Sequence, residues 1–497
     1  MTRSTLASLA LALLLAIPAP AQSLAKRLNA RLDAPGLDRL LWGVVVTDLH
    51  GKVLFGRNAD RLFVPASNTK LLVSSVATAL LGPDFTVETS VYGTGPVQDG
   101  VLQGDLVLYG RGDPTFSRRC YGADTSAPGA CDDDPAARLR LLATQLRTRG
   151  ITTVAGDLVG DGSYFDAELV HPSWEVGDLT WWYAAPVSGL GFNDNSLDVR
   201  ELPGEEVGLS ARVTLSPDLG LAPFENRAVT GARGARRTVD VTRSLDGQQY
   251  VAIGVVPLGA SGRTEYTAVV DPARFTALAL RRELLAQGIS VRGNTRSTVD
   301  SFAYQPARGT AALATVTSRP FREWVYPILN SSQNWYAEMT LKQLGKQFGT
   351  GGSWSEGLRI ERRFLVDSMK IDSTQFAVED GSGLASNNLV TPLAIAQLLR
   401  FMHAHPRFEA FGSALPVAGR SGTIKSRFLG TPVEGRVRAK TGTISRVNAL
   451  SGFIDRPDGN PWIFSILANH QTIGGTRMLA AIDSVVVELD RTGRKRP

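Results

Sequence analysis

The chain has 497 residues, 43% of them hydrophobic and 20% charged, with 53 Lys and Arg against 47 Asp and Glu for a formal net charge of +6. That length is too great for one ordinary domain and calls for two or three. The basic residues are dispersed and not interleaved with aromatics, which argues against nucleic-acid binding, and His50, His171, His403, His405 and His470 form no metal-ligand set.

Residues 1–21 follow the plan of a secretory signal peptide: Arg3 gives a positive start, Leu6 to Ile17 an apolar core, and Ala19-Pro20-Ala21 a small-residue cleavage site. The core is short for a bilayer crossing and no later segment approaches ~18 uninterrupted apolar residues, so no transmembrane anchor is expected. A retained N-terminal anchor is the alternative. The mature chain is predicted to be exported, to the periplasm or beyond. Its modest positive excess suits work near anionic envelope polymers, and an ordinary solvated surface equally well.

Residues 40–57 read as a strand, an Asp-Leu-His-Gly turn and a second strand. A helix over 67–81 follows and stops at Gly82-Pro83. It opens with Ser67-Asn68-Thr69-Lys70, which puts Ser67 and Lys70 one turn apart on one face, ahead of Leu71, Leu72, Val73, Val76, Leu80 and Leu81. The chain holds only nine Lys among its 53 basic residues. Arg cannot release its proton in a protein, whereas a buried Lys can be driven neutral, so a Lys beside a Ser marks possible amine chemistry. A second Ser-x-x-Lys, Ser23 to Lys26, lies beside the cleavage site and is read as chance.

From 85 to about 265 the pattern is mainly short alternating strands with frequent Gly, broken by helices near 135–149 and 271–287. Gly104-Asp105-Leu106-Val107 recurs as Gly156-Asp157-Leu158-Val159, consistent with repeated β-units or with two unrelated strand starts. Cys120 and Cys131 stand in a Gly/Pro/Asp-rich stretch and can close a short disulfide loop in an oxidising compartment. A two-Cys metal site is the weaker reading because no His lies nearby, so neither metal nor cofactor is expected. Helical periodicity resumes after 309, over 335–348, 355–369, 391–404 and 477–490, with His403 and His405 read as helix C-terminal caps. The runs RVRAKTGTISRVNALSGFI and PWIFSILANH read as consecutive strands. The simplest plan is one α/β (α+β) catalytic domain built from 22–84 and 309–497, interrupted by a β-rich insertion over 85–308 of one or two domains.

Lys440-Thr441-Gly442-Thr443 is the least accidental run, since residue frequencies give well under ~0.1 Lys-Thr-Gly in such a chain. A Ser-x-Asn partner has two candidates. Ser386-Asn387-Asn388 precedes Thr391-Pro392, an N-cap and first-turn pair that explains it as turn chemistry. Ser332-Gln333-Asn334 stands at the mouth of the helix WYAEMTLKQL and is preferred.

The set SNTK, NSSQNWYAE, DGSGLASNNLVTP, RSGTIKSRF and AKTGT resembles the class C low-molecular-mass penicillin-binding proteins, the D-alanyl-D-alanine carboxypeptidases/endopeptidases of the DacB type. GRGDPTFS (110–117), GDGSYFD (160–166) and YAAPVSGLGFNDNS (183–196) resemble that family's inserted region, so the likeness spans the mature chain. Gln333 stands where Asp is common. The resemblance implies a β-lactamase/transpeptidase-like catalytic fold, peptidoglycan stem peptides as substrates and β-lactam antibiotics as covalent inhibitors. It implies Ser67 as nucleophile, Lys70 as its base, and Ser332 as proton relay to the leaving amine. Asn334 would hold the substrate amide, while Lys440, Thr441 and Thr443 would form a carboxylate pocket and Gly442 would permit close backbone approach. The N–H groups of Ser67 and Thr443 would make the oxyanion hole. Trp174, Asp178, Trp181, Trp182 and Tyr183 are either packing or a subsite in which Asp178 meets the ammonium of a stem-peptide diamino acid. Asp380 to Gly383 is expected to shape a loop under the site, and Arg420 to Arg427 to border the cleft or the surface. A β-lactamase or esterase of the same chemistry, and a silent wall-binding or penicillin-sensing protein, are the competing functions.

Overall fold

The computed structural model describes residues 23–117, 134–244, 246 and 249–490. The signal segment 1–21 and both Cys120 and Cys131 lie outside the described residues.

Both ends of the chain meet in one antiparallel sheet of five strands, in the order Val53–Arg57, Leu41–Thr47, Trp462–Asn469, Val447–Ile454, Val437–Ile444. The period-2 alternation of a strand sends successive side chains to opposite faces, and here both faces are apolar. Trp42, Val44, Val46, Phe464 and Ile466 pack with Leu28 and Leu32 of the helix Leu24–Leu32 and with Met478, Ile482, Val485 and Leu489 of the helix Gly475–Asp490. Val45, Ile463 and Leu467 face a helical layer on the other side. Gly43 falls on that second face because a Cβ there would lie 2.4 Å from the Phe63 ring. Ser23, of the discounted Ser-x-x-Lys, caps the first helix by accepting from the Lys26 N–H at 3.3 Å.

At the centre of the helical layer runs Lys70–Leu80, buried over nearly its whole length and packed by Phe321–Leu329, Asn334–Phe348, Trp354–Asp367 and Pro392–Ala404. Thr391 caps the last of these, accepting from the Ala394 N–H at 3.0 Å, with Pro392 at the first helical position. His405 stands at its C-cap, its backbone N–H donating to the Met402 carbonyl at 3.0 Å while its Nδ1 accepts from the Arg407 N–H at 3.2 Å, and His403 in the last turn packs on Phe408 and Phe453.

The insertion leaves and re-enters the catalytic domain at one stalk, where Val87 and Ser318 exchange N–H to carbonyl and N–H to hydroxyl bonds of 2.8 and 3.0 Å. Its helices Ala137–Thr148 and Pro272–Ala286 fall where the sequence placed them, near 135–149 and 271–287, among short strands. Its main sheet, Thr295–Thr298, Leu158–Asp161, Leu106–Tyr109, Glu88–Gly93, Ala314–Thr317, has three parallel neighbours at its core. Parallel neighbours require crossovers, and the helices Ala137–Thr148 and Pro272–Ala286 supply them. The final strand carries this sheet past residue 308. The Gly-Asp repeat is part of this geometry: Leu106 pairs with Leu158 in parallel register. Asp105 Oδ1 accepts from the Asp157 N–H at 2.8 Å, and Asp157 Oδ1 from the Asn294 N–H at 2.8 Å, so one short motif passes a hydrogen bond across three strands. A smaller all-β unit spans Ser196–Ala268, whose first and last strands pair with each other.

Candidate active site

Four distant segments converge where the helical layer meets the sheet edge. Ser67 lies in a 3-10 turn, Ala66–Thr69, that runs directly into the helix beginning at Lys70. Ala66 takes a positive φ of 47°, a left-handed conformation that a Cβ disfavours. Gly383, itself at φ 79°, is pressed so close that a Cβ there would sit 2.0 Å from the Ala66 carbonyl.

Lys70 is fully buried. Its Nζ lies 2.9 Å from Ser67 Oγ, 2.7 Å from Asn334 Oδ1 and 2.6 Å from the Ser382 carbonyl. Burial lowers its pKa to about 7, against the opposing pull of the Asp380 and Glu338 carboxylates. A neutral amine has two N–H donors and one lone pair. Asn334 Oδ1 and the Ser382 carbonyl only accept, so they take both donors, and the lone pair is left for the Ser67 hydroxyl.

Lys440 is also fully buried and donates to Ser332 Oγ at 2.8 Å and to the Thr441 carbonyl at 2.9 Å. Its pKa is lowered well below the usual lysine range, first by burial and then by repulsion from Lys70. Burial drives Lys70 down against the Asp380 and Glu338 carboxylates, and the two buried amines repel each other whenever both are charged.

The strand Val437–Ile444 is the sheet's edge. The Ala439 N–H is taken by the Pro416 carbonyl at 3.0 Å, on the side away from the sheet. By antiparallel alternation the N–H groups of Thr441 and Thr443 point the same way, beyond the reach of that neighbouring segment. A Cβ on Gly442 would lie 2.6 Å from the Pro65 carbonyl, so the strand and the Ala66–Thr69 turn meet this closely only at a glycine. Asn68 ties the two further, donating to the Lys440 carbonyl at 3.2 Å.

Ser332 has φ 62°, another non-glycine left-handed residue, and Gln333 caps the helix Asn334–Phe348 by accepting from the Trp335 N–H at 3.2 Å. Gln333 also donates to Asp194 Oδ2 at 2.8 Å, which gives the residue standing at an Asp position a tether to the insertion. Ser386 is exposed, and Asn388 is spent inside its own loop, bonding the N–H of Glu379 and the carboxylate of Asp380 at 2.8 Å each. Of the two Ser-x-Asn runs, only 332–334 reaches the lysines.

Asp178 is half-buried and 2.9 Å from the Tyr183 hydroxyl, which burial and that carboxylate push up in pKa. Tyr183 in turn accepts from Asn334 Nδ2 through its carbonyl at 2.8 Å, so the aromatic–acidic cluster adjoins the site through one residue. Arg427 faces elsewhere, pairing with Asp483 at 2.5 Å, while Thr423 from the same run meets the Thr441 hydroxyl at 2.8 Å. The carbonyls of Ser382 and Tyr183, and Thr423, carry no signal of their own in the sequence. A backbone oxygen is common to every residue, and only folding shows which one faces Lys70. Among the described residues no group of His, Cys, Asp and Glu is arranged to hold a metal ion.

The profile of the D-Ala-D-Ala carboxypeptidase 3 (S13) family matches residues 24–490. A D-alanyl-D-alanine carboxypeptidase of Actinomadura sp. (strain R39) is 33% identical over 514 aligned positions, covering 99% of this chain and 90% of that protein. Among solved structures, penicillin binding protein 4 (dacB) from Haemophilus influenzae aligns with TM-score 0.78 at 21% identity, over 93% of this chain and 98% of that one. The same protein complexed with a β-lactam aligns with TM-score 0.73 at 20% identity, over 95% and 99%. These two share the fold.

Proposed function

This chain belongs to the D-Ala-D-Ala carboxypeptidase 3 (S13) family, and from that premise we propose that it is a serine-type D-alanyl-D-alanine carboxypeptidase/endopeptidase acting through an acyl-enzyme on Ser67. The observation that carries the reading is the Lys70 amine, buried, lowered to about 7 and hydrogen-bonded so that in its neutral form the lone pair is left for Ser67.

In the proposed reaction Lys70 takes the Ser67 proton as Oγ attacks the carbonyl of the penultimate D-Ala. The oxyanion is received by the N–H groups of Ser67 and Thr443, preorganised at the nucleophile turn and the strand edge. The terminal carboxylate sits against Lys440, Thr441 and Thr443, and its negative charge opposes the lowering that burial imposes on Lys440. As the C–N bond breaks, the proton that Lys70 took from Ser67 passes by way of Ser332, whose Oγ is joined to Lys440, to the leaving amine, and Lys70 is neutral again. Water then attacks the ester as Lys70 takes its proton, and that proton returns to Ser67 Oγ as the acyl bond breaks. Asn334 holds Lys70 with Oδ1, and binding of the substrate amide would draw on its Nδ2, now on Tyr183.

The substrates proposed are peptidoglycan stem peptides, with Asp178 meeting the ammonium of a diamino acid. Benzylpenicillin presents a reactive carbonyl and a carboxylate with a similar spacing and is proposed as a covalent inhibitor, and the β-lactam complex of the Haemophilus protein supports β-lactam binding. The protein is proposed to be exported after cleavage following Ala21. No helix among the described residues is long and apolar enough to cross a membrane. Intact-mass spectrometry during incubation with benzylpenicillin tests the reading. The adduct is expected on Ser67 and to decay slowly, with release of D-Ala from peptides ending in D-Ala-D-Ala. An adduct elsewhere, or none, overturns it, and rapid loss of the adduct assigns a β-lactamase instead.

A further inference from the structure

Beneath Lys70 lies a set of buried acids that the reaction above does not use. Glu338 stands one helical turn after Asn334, on the same face of the helix Asn334–Phe348, and is fully buried. Its Oε1 accepts from the Ser382 N–H at 2.7 Å, and its Oε2 from the Gly381 N–H at 3.0 Å and from Trp354 Nε1 at 2.8 Å. The Ser382 carbonyl, in the next peptide group, is the acceptor for Lys70 at 2.6 Å. One helix face thus reaches the amine twice, directly through Asn334 and through one backbone segment from Glu338.

We propose that Glu338 is a positioning residue for acyl transfer: it grips the Gly381–Ser382 segment so that the Ser382 carbonyl orients the Lys70 amine, and its negative charge steadies Lys70 once that amine has taken the serine proton. The proposal rests on the acyl-transfer reading above. Three N–H donors converge on Glu338 and it returns none, an arrangement that suits a carboxylate.

The charged neighbours agree with that role. Asp380, on the gripped loop, accepts from Trp174 Nε1, the N–H groups of Gly383 and Ala385, and Asn388 Nδ2. Lys342, one turn along from Glu338, is committed to Asp166 at 2.6 Å and to the Glu168 carbonyl at 2.5 Å, with its ammonium over the Trp354 ring. Neither carboxyl oxygen of Glu361, on the helix Trp354–Asp367, has a hydrogen-bond partner. Burial, Glu338 and Asp380 push Glu361 up to about 8, so near neutrality it is protonated and adds no charge. His171 lies against the Trp354 ring and near Asp380, and burial lowers its pKa, leaving it neutral. Lys440 lies beyond Lys70 and is itself depressed. The negative charge beneath Lys70 therefore comes from Glu338 and Asp380. Burial and Asp380 raise Glu338 to about 7, where Lys70 also titrates, so Glu338 and Lys70 exchange their protons within one pH range and the limb belongs to that pair.

The test is the rate of Ser67 acylation by benzylpenicillin against pH, with circular dichroism to confirm folding. Glu338→Gln keeps the shape but loses the charge and turns an N–H toward the converging donors. Its plateau rate should fall by up to about 10²-fold. Its acid limb should move about one pH unit lower, because a raising influence on Lys70 is gone. Glu338→Asp keeps the charge but falls one methylene short, so the rate should drop while the limb stays. Trp354→Phe withdraws one donor and should move the limb the same way as the Gln variant, by less, which keeps the test decisive if the Gln protein does not fold. A wild-type rate or an unmoved limb in folded Glu338→Gln, or an unmoved limb in Trp354→Phe when only that variant folds, overturns the proposal. If the wild-type protein itself is never acylated, the failure lies with the proposed function instead.

Discussion

A lysine amine in water is protonated at neutral pH, and Lys70 escapes this because burial lowers it to about 7 while nearby carboxylates limit the fall. The sign of the pH dependence follows. The base is active when neutral, so acylation should climb as pH rises through about 7 and level off above it, as a stopped-flow series in matched buffers would read out. Lys70→Arg keeps a cation that cannot deprotonate and should lose about 10²–10⁴-fold in acylation at every pH. Lys440→Arg keeps the charge a carboxylate pocket needs, and should retain partial activity with KM raised chiefly for substrates bearing a free carboxylate. Ser332→Ala should depress turnover strongly, whereas Ser386→Ala, at an exposed position, should leave turnover near wild type. The reverse pattern in folded proteins would refute the choice between the two serines.

At the scale of elements, the site depends on how closely a strand edge approaches a helix start. Gly442 is the point of contact, and Gly442→Ala would force a Cβ to 2.6 Å from the Pro65 carbonyl. Overpacking of this kind typically costs about 1–3 kcal/mol. Because the displaced strand carries the Thr443 N–H and Lys440, acylation should fall out of proportion to the loss of stability. Thermal melting compared with the acylation rate of the same protein checks this. Thr391 gives the contrast: its cap on the helix Pro392–Ala404 is remote from the lysines, so Thr391→Ala should cost about 1 kcal/mol and leave the plateau rate unchanged.

Over the whole molecule, the insertion is bonded into the site at several places. Tyr183 holds Asn334, Asp194 holds Gln333, Trp174 holds Asp380, and the Pro186 carbonyl accepts from Trp335 Nε1 at 3.1 Å. The Asp194 tether stands in a turn in which Asn193, Asp194 and Asn195 all have φ near 50°. Left-handed residues are rarely consecutive, and Asn and Asp adopt this conformation at least cost. Asp194→Ala should therefore lose about 1–2 kcal/mol from the turn itself. It should also slow acylation by releasing Gln333 at the helix start. A folded variant with unchanged rate and melting temperature would mean that the insertion does not brace the site.

The sequence by itself determined what is local. Ser67 and Lys70 share a face because they are one helical turn apart, and the helices near 335–348, 355–369, 391–404 and 477–490 were legible because burial of one face imposes a 3.6-residue period. The motif set pointed to the family, and both the profile match and the relative at 33% identity agree with it. Tertiary structure decided what is not local. Parallel pairing of strands 52 residues apart made the insertion an α/β unit, since such pairing depends on crossover and not on the pattern within each strand. How far burial depresses Lys70 depends on where Asp380 and Glu338 come to lie, more than 260 residues from it in the sequence. The Ser382 carbonyl that leaves the Lys70 lone pair to Ser67 is a backbone atom, and side-chain identity cannot report it.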